Sequence, residues 1–442
     1  MKSFLIFFCL VIFSLSPATA QTPEQVLATA NAQKFTVKDL PAEVGEALTN
    51  LPKTVAEART VLFEQQVIET VFDLEAKSKN LTIEKLLEQI RSKVPDPQAT
   101  EIQAIYDANR AALGEKTLSE VRPQIVAFLR RDPEQKALET AFAALKTKYK
   151  ILPGKNVNAP GLKPVDVLVT VGAKTITVKS FEDANKVALY ETRAKVFDAV
   201  KLALNELIFA ALIGVEAKSL NLETNELIAS EVTNKMRDFS DEERYTLEND
   251  FRRKLFTKYK TQILLKEPVP LVLNVSTENA ASRGIATAPV TVVMFSDFQC
   301  SHCAATHPVL QKILAEYGEK IRFVVRNYPL TTLHENAFQA AVAAQAARAQ
   351  GKFFEYIEFL YKNQDALDAN SLKKYAGDVG LNLPQFELDL QSAKTAEIVR
   401  KDMADGASYG ITGTPTIFVN GVKVRINTAD GFREAIDKAL KK

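Results

Sequence analysis

The sequence predicts a multidomain chain, with a mostly helical N-terminal tandem followed by an α/β domain that carries a helical insertion. Three observations predict it. The 442 residues exceed what one hydrophobic core organises, so two or three domains are expected. The segment up to about residue 268 repeats itself at a fixed offset. The remainder alternates short apolar strand-like runs with helical pattern, broken by one long helical stretch.

The N-terminus is read first. Lys2 is followed by an apolar run from Phe4 to Leu15 and then by Ala18-Thr19-Ala20. That order is expected of a secretory signal peptide over residues 1–20, cut before Gln21. The run is shorter than the roughly twenty residues a membrane span needs, and no later segment is apolar enough to cross a bilayer. The mature protein is therefore expected in the periplasm or another extracytoplasmic compartment. Cleavage removes Cys9 and leaves Cys300 and Cys303 where thiols are readily oxidised. A disulfide closing so short a loop would stabilise less than the about 3 kcal/mol of a fifteen-residue loop, so chemistry is the better reason for the pair. With 56 Lys+Arg against 54 Asp+Glu, no basic field exists to bind phosphate backbones, and no nucleic-acid partner is expected.

Residues 21–155 and 156–268 are expected to be two copies of one unit. Phe35-Thr36-Val37-Lys38 returns as Ile176-Thr177-Val178-Lys179, and Glu75-Ala76-Lys77-Ser78 as Glu216-Ala217-Lys218-Ser219. Both matches keep one offset, since 176 − 35 and 216 − 75 are each 141. Each copy opens with a β-prone stretch and continues with apolar residues at helical spacing, such as Val67, Val71 and Phe72 or Leu204, Ile208 and Leu212. Asn80-Leu81-Thr82 and Asn221-Leu222-Glu223 read as turns between helices. This pattern resembles the N-terminal regions of SurA- and PrsA-type foldases. The resemblance implies a surface that holds unfolded chains, or a dimerisation module that makes a homodimer; no isomerase domain follows. A helical spacer whose apolar stripes are core accounts for the same residues.

Pro268 and Pro270 mark the boundary of the third region, residues 269–442. Strands are expected over Leu271–Val275, Val290–Phe295 and Ile321–Val325, and a hairpin joins Thr416–Val419 to Val422–Arg425 around Asn420-Gly421. Residues Glu335 to Tyr409 are helical in pattern.

Cys300-Ser301-His302-Cys303 follows a buried-type strand and begins a helix that continues through His307, Leu310 and Ile313. Unpaired N–H groups at a helix start favour a thiolate, which makes Cys300 the expected nucleophile. Far along the chain, Gly413-Thr414-Pro415 precedes the hairpin. Strand, Cys-x-x-Cys, inserted helices and Thr-Pro, in that order, resemble the DsbA branch of the thioredoxin fold over residues 269–442.

The resemblance implies a mixed disulfide at Cys300, resolution by Cys303, tuning of the thiolate by His302, and a cis Pro415 that leaves Thr414 to pair with a substrate strand. Ser301 departs from the family's usual proline, and Met294 stands where relatives often bury a glutamate. Thr414 before the proline is shared with isomerase-type relatives, so oxidase and isomerase both stay open. Asp297 matches the family pattern as a helix cap. His307 before Pro308 is expected on the helix surface, and His334 as the cap of the next helix. A zinc site of Cys300, Cys303, His307 and His334 is the weaker alternative, and no metal or other cofactor is expected.

The function these residues imply is an exported thiol-disulfide oxidoreductase that forms or rearranges disulfides in secreted proteins. Its partners would be unfolded or cysteine-containing secreted chains and a membrane redox protein that resets it. The alternative is a periplasmic holdase chaperone in which the cysteine pair is incidental.

Overall fold

The computed structural model describes residues 24–441, so the expected signal peptide, with Cys9 and the cleavage point before Gln21, lies outside the described residues. The chain divides into two compact units between Leu265 and Lys266.

In the first unit, strands β1 (Val26–Ala30) and β2 (Gln33–Thr36) form a hairpin that leads into helices α1 (Ala42–Thr49) and α2 (Leu51–Ser78). There follow α3 (Ile83–Arg91), α4 (Ala99–Ala108), α5 (Arg110–Leu113), α6 (Leu118–Lys148) and strand β3 (Ile151–Pro153). A second hairpin, β4 (Val167–Val171) and β5 (Lys174–Thr177), opens the long helix α7 (Val178–Ser219). The unit ends with α8 (Thr224–Glu231), α9 (Asp241–Lys258) and β6 (Gln262–Ile263).

The repeat survives in three dimensions. Hairpins, helix ends and the turns after them fall at matching positions. Asn80 and Asn221 take left-handed φ of 56° and 55°, and the next N–H in each case returns to Ala76 or Ala217 at 2.9 Å. Asparagine tolerates that conformation, which satisfies carbonyls left open at a helix end.

The two repeats exchange hairpins. β1 lies between β2 and β6, the strand that follows α9; β4 lies between β5 and β3, the strand that follows α6. Side chains follow the strands. Leu27, Phe35 and Leu48 share a core with Leu204, Ile208 and Leu255, whereas Leu168, Val169 and Phe181 pack with Val71 and the partly buried Phe142. A two-stranded hairpin is marginal alone, and here each one is completed by the helices of the other repeat. The apolar clusters accordingly cross the division at residues 155 and 156.

The second unit is built on a five-stranded sheet. Its strands are β7 (Ala281–Arg283), β8 (Val290–Ser296), β9 (Ile321–Asn327), β10 (Thr416–Val419) and β11 (Val422–Lys423), in the order β11-β10-β8-β9-β7. β8 and β9 are parallel and are joined by α10 (Ser301–Tyr317); the outer pairings are antiparallel. Helices α11 (Ala337–Ala349), α12 (Phe353–Lys362), α13 (Ala369–Asp378), α14 (Leu383–Gln391) and α15 (Ala393–Ser408) form the expected insertion, and α16 (Ala429–Leu440) ends the fold.

Both faces of β8 are covered, which explains its unbroken apolar run. Val292 and Met294 face the main core, while Val293 and Phe295 face a smaller one with Ile411 and Phe418.

One strand expectation is corrected, and one strand stands where none was expected. Leu271–Val275 is no strand: Val272 bridges Val422 alone and Leu273 N donates to Gly421 O at 2.9 Å, because the two-residue β11 offers no longer edge. β7, three residues with no apolar alternation, was not expected. The hairpin turn stands where Asn420-Gly421 placed it, with φ of 46° and 78°. Only glycine fits its second position, since a Cβ there would lie 2.1 Å from Leu273 O.

Candidate active site

β8 delivers the chain to the start of α10 at its carboxyl end, with Cys300 as the residue preceding the first helical turn. Cys300 is 6% exposed, Cys303 is fully buried, and both thiols are free. The Thr414–Pro415 bond is cis, and Cys300 Sγ donates to Thr414 O at 3.5 Å. The fold thus brings together Cys300, Cys303, Thr414 and Pro415, which are 114 residues apart at the Cys300–Thr414 contact.

The two thiols are pushed in opposite directions. A hydrogen bond from the Cys303 thiol is the largest influence lowering the Cys300 pKa to about 5. Burial opposes it, while the Thr414 side chain and the backbone N–H groups of Cys303 and His302 add to the lowering. Burial, first of all, raises the Cys303 pKa, and its hydrogen bond to Cys300 adds to the rise. The His302 side chain is exposed. What this residue brings to the thiolate is its backbone N–H, one of the open donors of a helix start.

The loop that carries the cysteines is held from several sides. Asp297 is 1% exposed, and its role is larger than a helix cap. Oδ1 accepts from Gln299 N at 2.8 Å, and Oδ2 accepts from Leu330 N at 2.8 Å. Gln364 Nε2, on the α12–α13 connection, donates to the carbonyls of Phe298 and Cys300, both at 2.9 Å. Asn336 N donates to Gln299 Oε1 at 2.9 Å.

Two histidine expectations are corrected. His307 is not on the helix surface: it is 2% exposed because α12 covers that side of α10, and its Nε2 lies 2.7 Å from Glu358 Oε1. His334 does not cap α11, whose first turn follows Asn336; its Nδ1 lies 2.8 Å from Asp297 Oδ2. Each of the two histidines proposed as zinc ligands is thus engaged by a carboxylate. Among the described residues, no group of three or more His, Cys, Asp or Glu is placed to hold a metal ion. Glu358 and Gln364 were not reached from the sequence. They lie on α12 and on the loop after it, whose docking no local pattern reveals.

A family model described as thioredoxin matches residues 276–438. The second unit is a thioredoxin-fold domain. Among curated proteins, the Na(+)/H(+) antiporter NhaA 1 of Mycolicibacterium gilvum is 35% identical over 163 residues, 36% of this chain and 26% of that protein. NhaA 3 of Salinispora tropica is 37% identical over 153 residues, 35% of this chain and 23% of that protein. The chain therefore spans about a quarter of the length of these relatives. Among solved structures, a thioredoxin-like oxidoreductase from Silicibacter pomeroyi is 28% identical, with 37% of this chain and 94% of that one covered and a TM-score of 0.35. BdbD from Bacillus subtilis is 24% identical, covering 40% of this chain and 100% of that one, with a TM-score of 0.36. No helix among the described residues is long and apolar enough to cross a membrane.

Proposed function

We propose that the thioredoxin-fold domain is a thiol-disulfide oxidoreductase that forms or rearranges disulfides in cysteine-containing secreted proteins. One observation carries this reading: two thiols at the start of α10, with Cys300 Sγ 3.5 Å from Thr414 O and its pKa lowered to about 5, and Cys303 buried and its pKa raised. A thiolate is the attacking form of sulfur and a good leaving group, so Cys300 can both open a disulfide and be released from one. The Cys300 thiolate forms a mixed disulfide with a substrate cysteine, and Cys303 resolves it. Thr414 O lies 3.5 Å from the sulfur, and Thr414 and Pro415 would line the place of a substrate strand. The His302 backbone tunes the thiolate.

Export rests on the pattern of residues 1–20. A membrane redox partner would reset the pair, and its potential would set whether disulfides are donated or shuffled. The helical unit would hold unfolded substrates or dimerise.

A second reading, a holdase in which the cysteine pair is incidental, is favoured by exposed apolar side chains on the helical unit, among them Phe128, Leu202 and Phe239. The experiment is Cys300→Ser in the full chain. The oxidoreductase reading requires loss of insulin reduction and of ribonuclease refolding while suppression of aggregation survives. Thiol assays that do not respond to the substitution would leave the holdase.

A further inference from the structure

The loop that carries Cys300 is fixed one peptide unit at a time, and one of the groups that fix it comes from the helical insertion. The Gln299 N–H goes to Asp297 Oδ1 at 2.8 Å, and the Cys300 N–H to Asp297 O at 3.2 Å. The Cys300 carbonyl accepts from Cys303 N at 3.0 Å and Ala304 N at 3.2 Å, which starts α10. Gln364 Nε2 then donates to the Phe298 carbonyl and to the Cys300 carbonyl, both at 2.9 Å. A primary amide carries two N–H groups on one nitrogen, so this side chain spends both on the carbonyls that bracket Gln299. Gln364 itself stands half-buried on the connection between α12 and α13.

We propose that Gln364 is a positioning residue that sets the reactivity of Cys300, by holding the Phe298 and Cys300 carbonyls so that the first-turn N–H groups of α10 stay aimed at Sγ. The proposal rests on the disulfide-exchange reading and deepens it with a residue of the helical insertion. A planar trans peptide unit turns its N–H opposite to its C=O, so a carbonyl fixed by Gln364 fixes the N–H that follows it. Behind the Cys303 thiol, the largest influence, the N–H groups of Cys303 and His302 add to the lowering of the Cys300 pKa. A hydrogen bond weakens steeply once its angle opens. Rotation of either peptide unit would also swing a carbonyl, the negative end of its dipole, toward the sulfur and disfavour the thiolate.

Gln364 donates to the backbone and not to the sulfur, and so acts through Cys300. Gln364→Met keeps the length of the side chain, removes both donors and adds no charge. Asn363→Ala serves as the control for a loosened connection: it removes the bond from Asn363 Nδ2 to Phe359 O at 2.8 Å and leaves the amide clamp in place. The titratable groups around the clamp are the same in both variants. They are His302, Cys303 and His307 on α10, Asp297 with its partner His334, Glu358 and Tyr361 on α12, and Asp365 beside Gln364.

The test follows alkylation by iodoacetamide across pH in the reduced full chain, with fragment mass spectrometry assigning the label to Cys300 or Cys303. Gln364→Met should raise the midpoint of the Cys300 profile by about one pH unit above the wild type. The plateau at high pH should rise by up to about threefold, because a less acidic thiolate is the stronger nucleophile. Asn363→Ala should keep the wild-type midpoint. A tie that served stability alone would lower the urea midpoint of Gln364→Met and leave the alkylation profile where it was. A profile unmoved in Gln364→Met, or moved as far in Asn363→Ala, overturns the proposal. A wild-type midpoint in the ordinary cysteine range, about 8.5, overturns the disulfide-exchange reading itself, and the two failures are distinguishable.

Discussion

Nδ1 of His334 lies 2.8 Å from Oδ2 of Asp297, joining the segment after β9 to the loop that carries Cys300. The same carboxylate binds the N–H groups of Gln299 and Leu330, so one buried side chain fixes both segments. Asp297→Ala would leave two backbone donors and an imidazole unpaired. The expected loss is about 3 kcal/mol of stability, since each unmade buried bond costs about 1–3 kcal/mol. Asp297→Asn keeps the shape and should lose about half as much. Urea unfolding checks both, with the midpoint falling and the slope unchanged.

Cys300 should remain reactive well below neutrality. With its pKa lowered to about 5, the rate of alkylation by iodoacetamide should change little from pH 8 down to pH 6 and halve near pH 5. An ordinary cysteine, with a pKa of about 8.5, would already be slow at neutral pH. Linkage gives the sign for stability. The folded chain binds fewer protons at Cys300 than the unfolded chain between about pH 5 and pH 8.5, so the reduced protein gains stability as pH rises through that window. Cys303, raised by burial, stays protonated across it and adds nothing there. Thermal unfolding of the reduced protein, with Cys300→Ser as the control, should show that slope only in the wild type.

What the sequence made legible is what local pattern controls. The Cys-x-x-Cys at a strand–helix junction, the Asn420-Gly421 turn and the helical insertion each follow from residues adjacent in the chain. The 141-residue offset likewise related one β-prone stretch and one helix end in each copy. Partners set by docking were not legible. Glu358 lies 51 residues from His307, and Asp297 lies 37 from His334. Spacing along α10 therefore made His307 look exposed, although α12 covers it. Hairpin exchange is hidden for the same reason: both repeats carry the same pattern, so either set of helices satisfies either hairpin.

The duplicated carboxylates should make the helical unit acid-sensitive. Lys148, with Lys79 and Tyr149, holds the pKa of Glu75 down to about 2 against the effect of burial. Lys258 and then Tyr259 lower that of Glu216. Tyr149 Oη and Tyr259 Oη donate at 2.9 Å and 2.7 Å. A depressed carboxylate contributes its full stability above the unfolded value of about 4.3 and loses it as pH falls through the folded value. Thermal midpoints of the wild type should therefore drop between about pH 4.5 and pH 2. Glu75→Gln and Glu216→Gln should each flatten that drop while costing about 1 kcal/mol at neutral pH, a modest figure because the lysine partners are half exposed.

Hairpin exchange predicts that damage to the first repeat is felt in the second. Phe35, on β2, is buried against Leu204, Ile208 and their neighbours, which belong to α7 and the helices after it. Phe35→Ala empties a space in that core and should cost about 3 kcal/mol or more. Hydrogen exchange monitored by mass spectrometry locates the effect. Amides in the C-terminal half of α7 and in α9 should lose protection, while those in α3, α4 and α6 keep theirs. Ile176→Ala, the matching position on β5, should give the reverse pattern, because its side chain belongs to the core of Val71 and Phe181. Protection lost in α3 and α6 after Phe35→Ala would mean that each hairpin serves its own repeat, and the exchanged arrangement would not hold in solution.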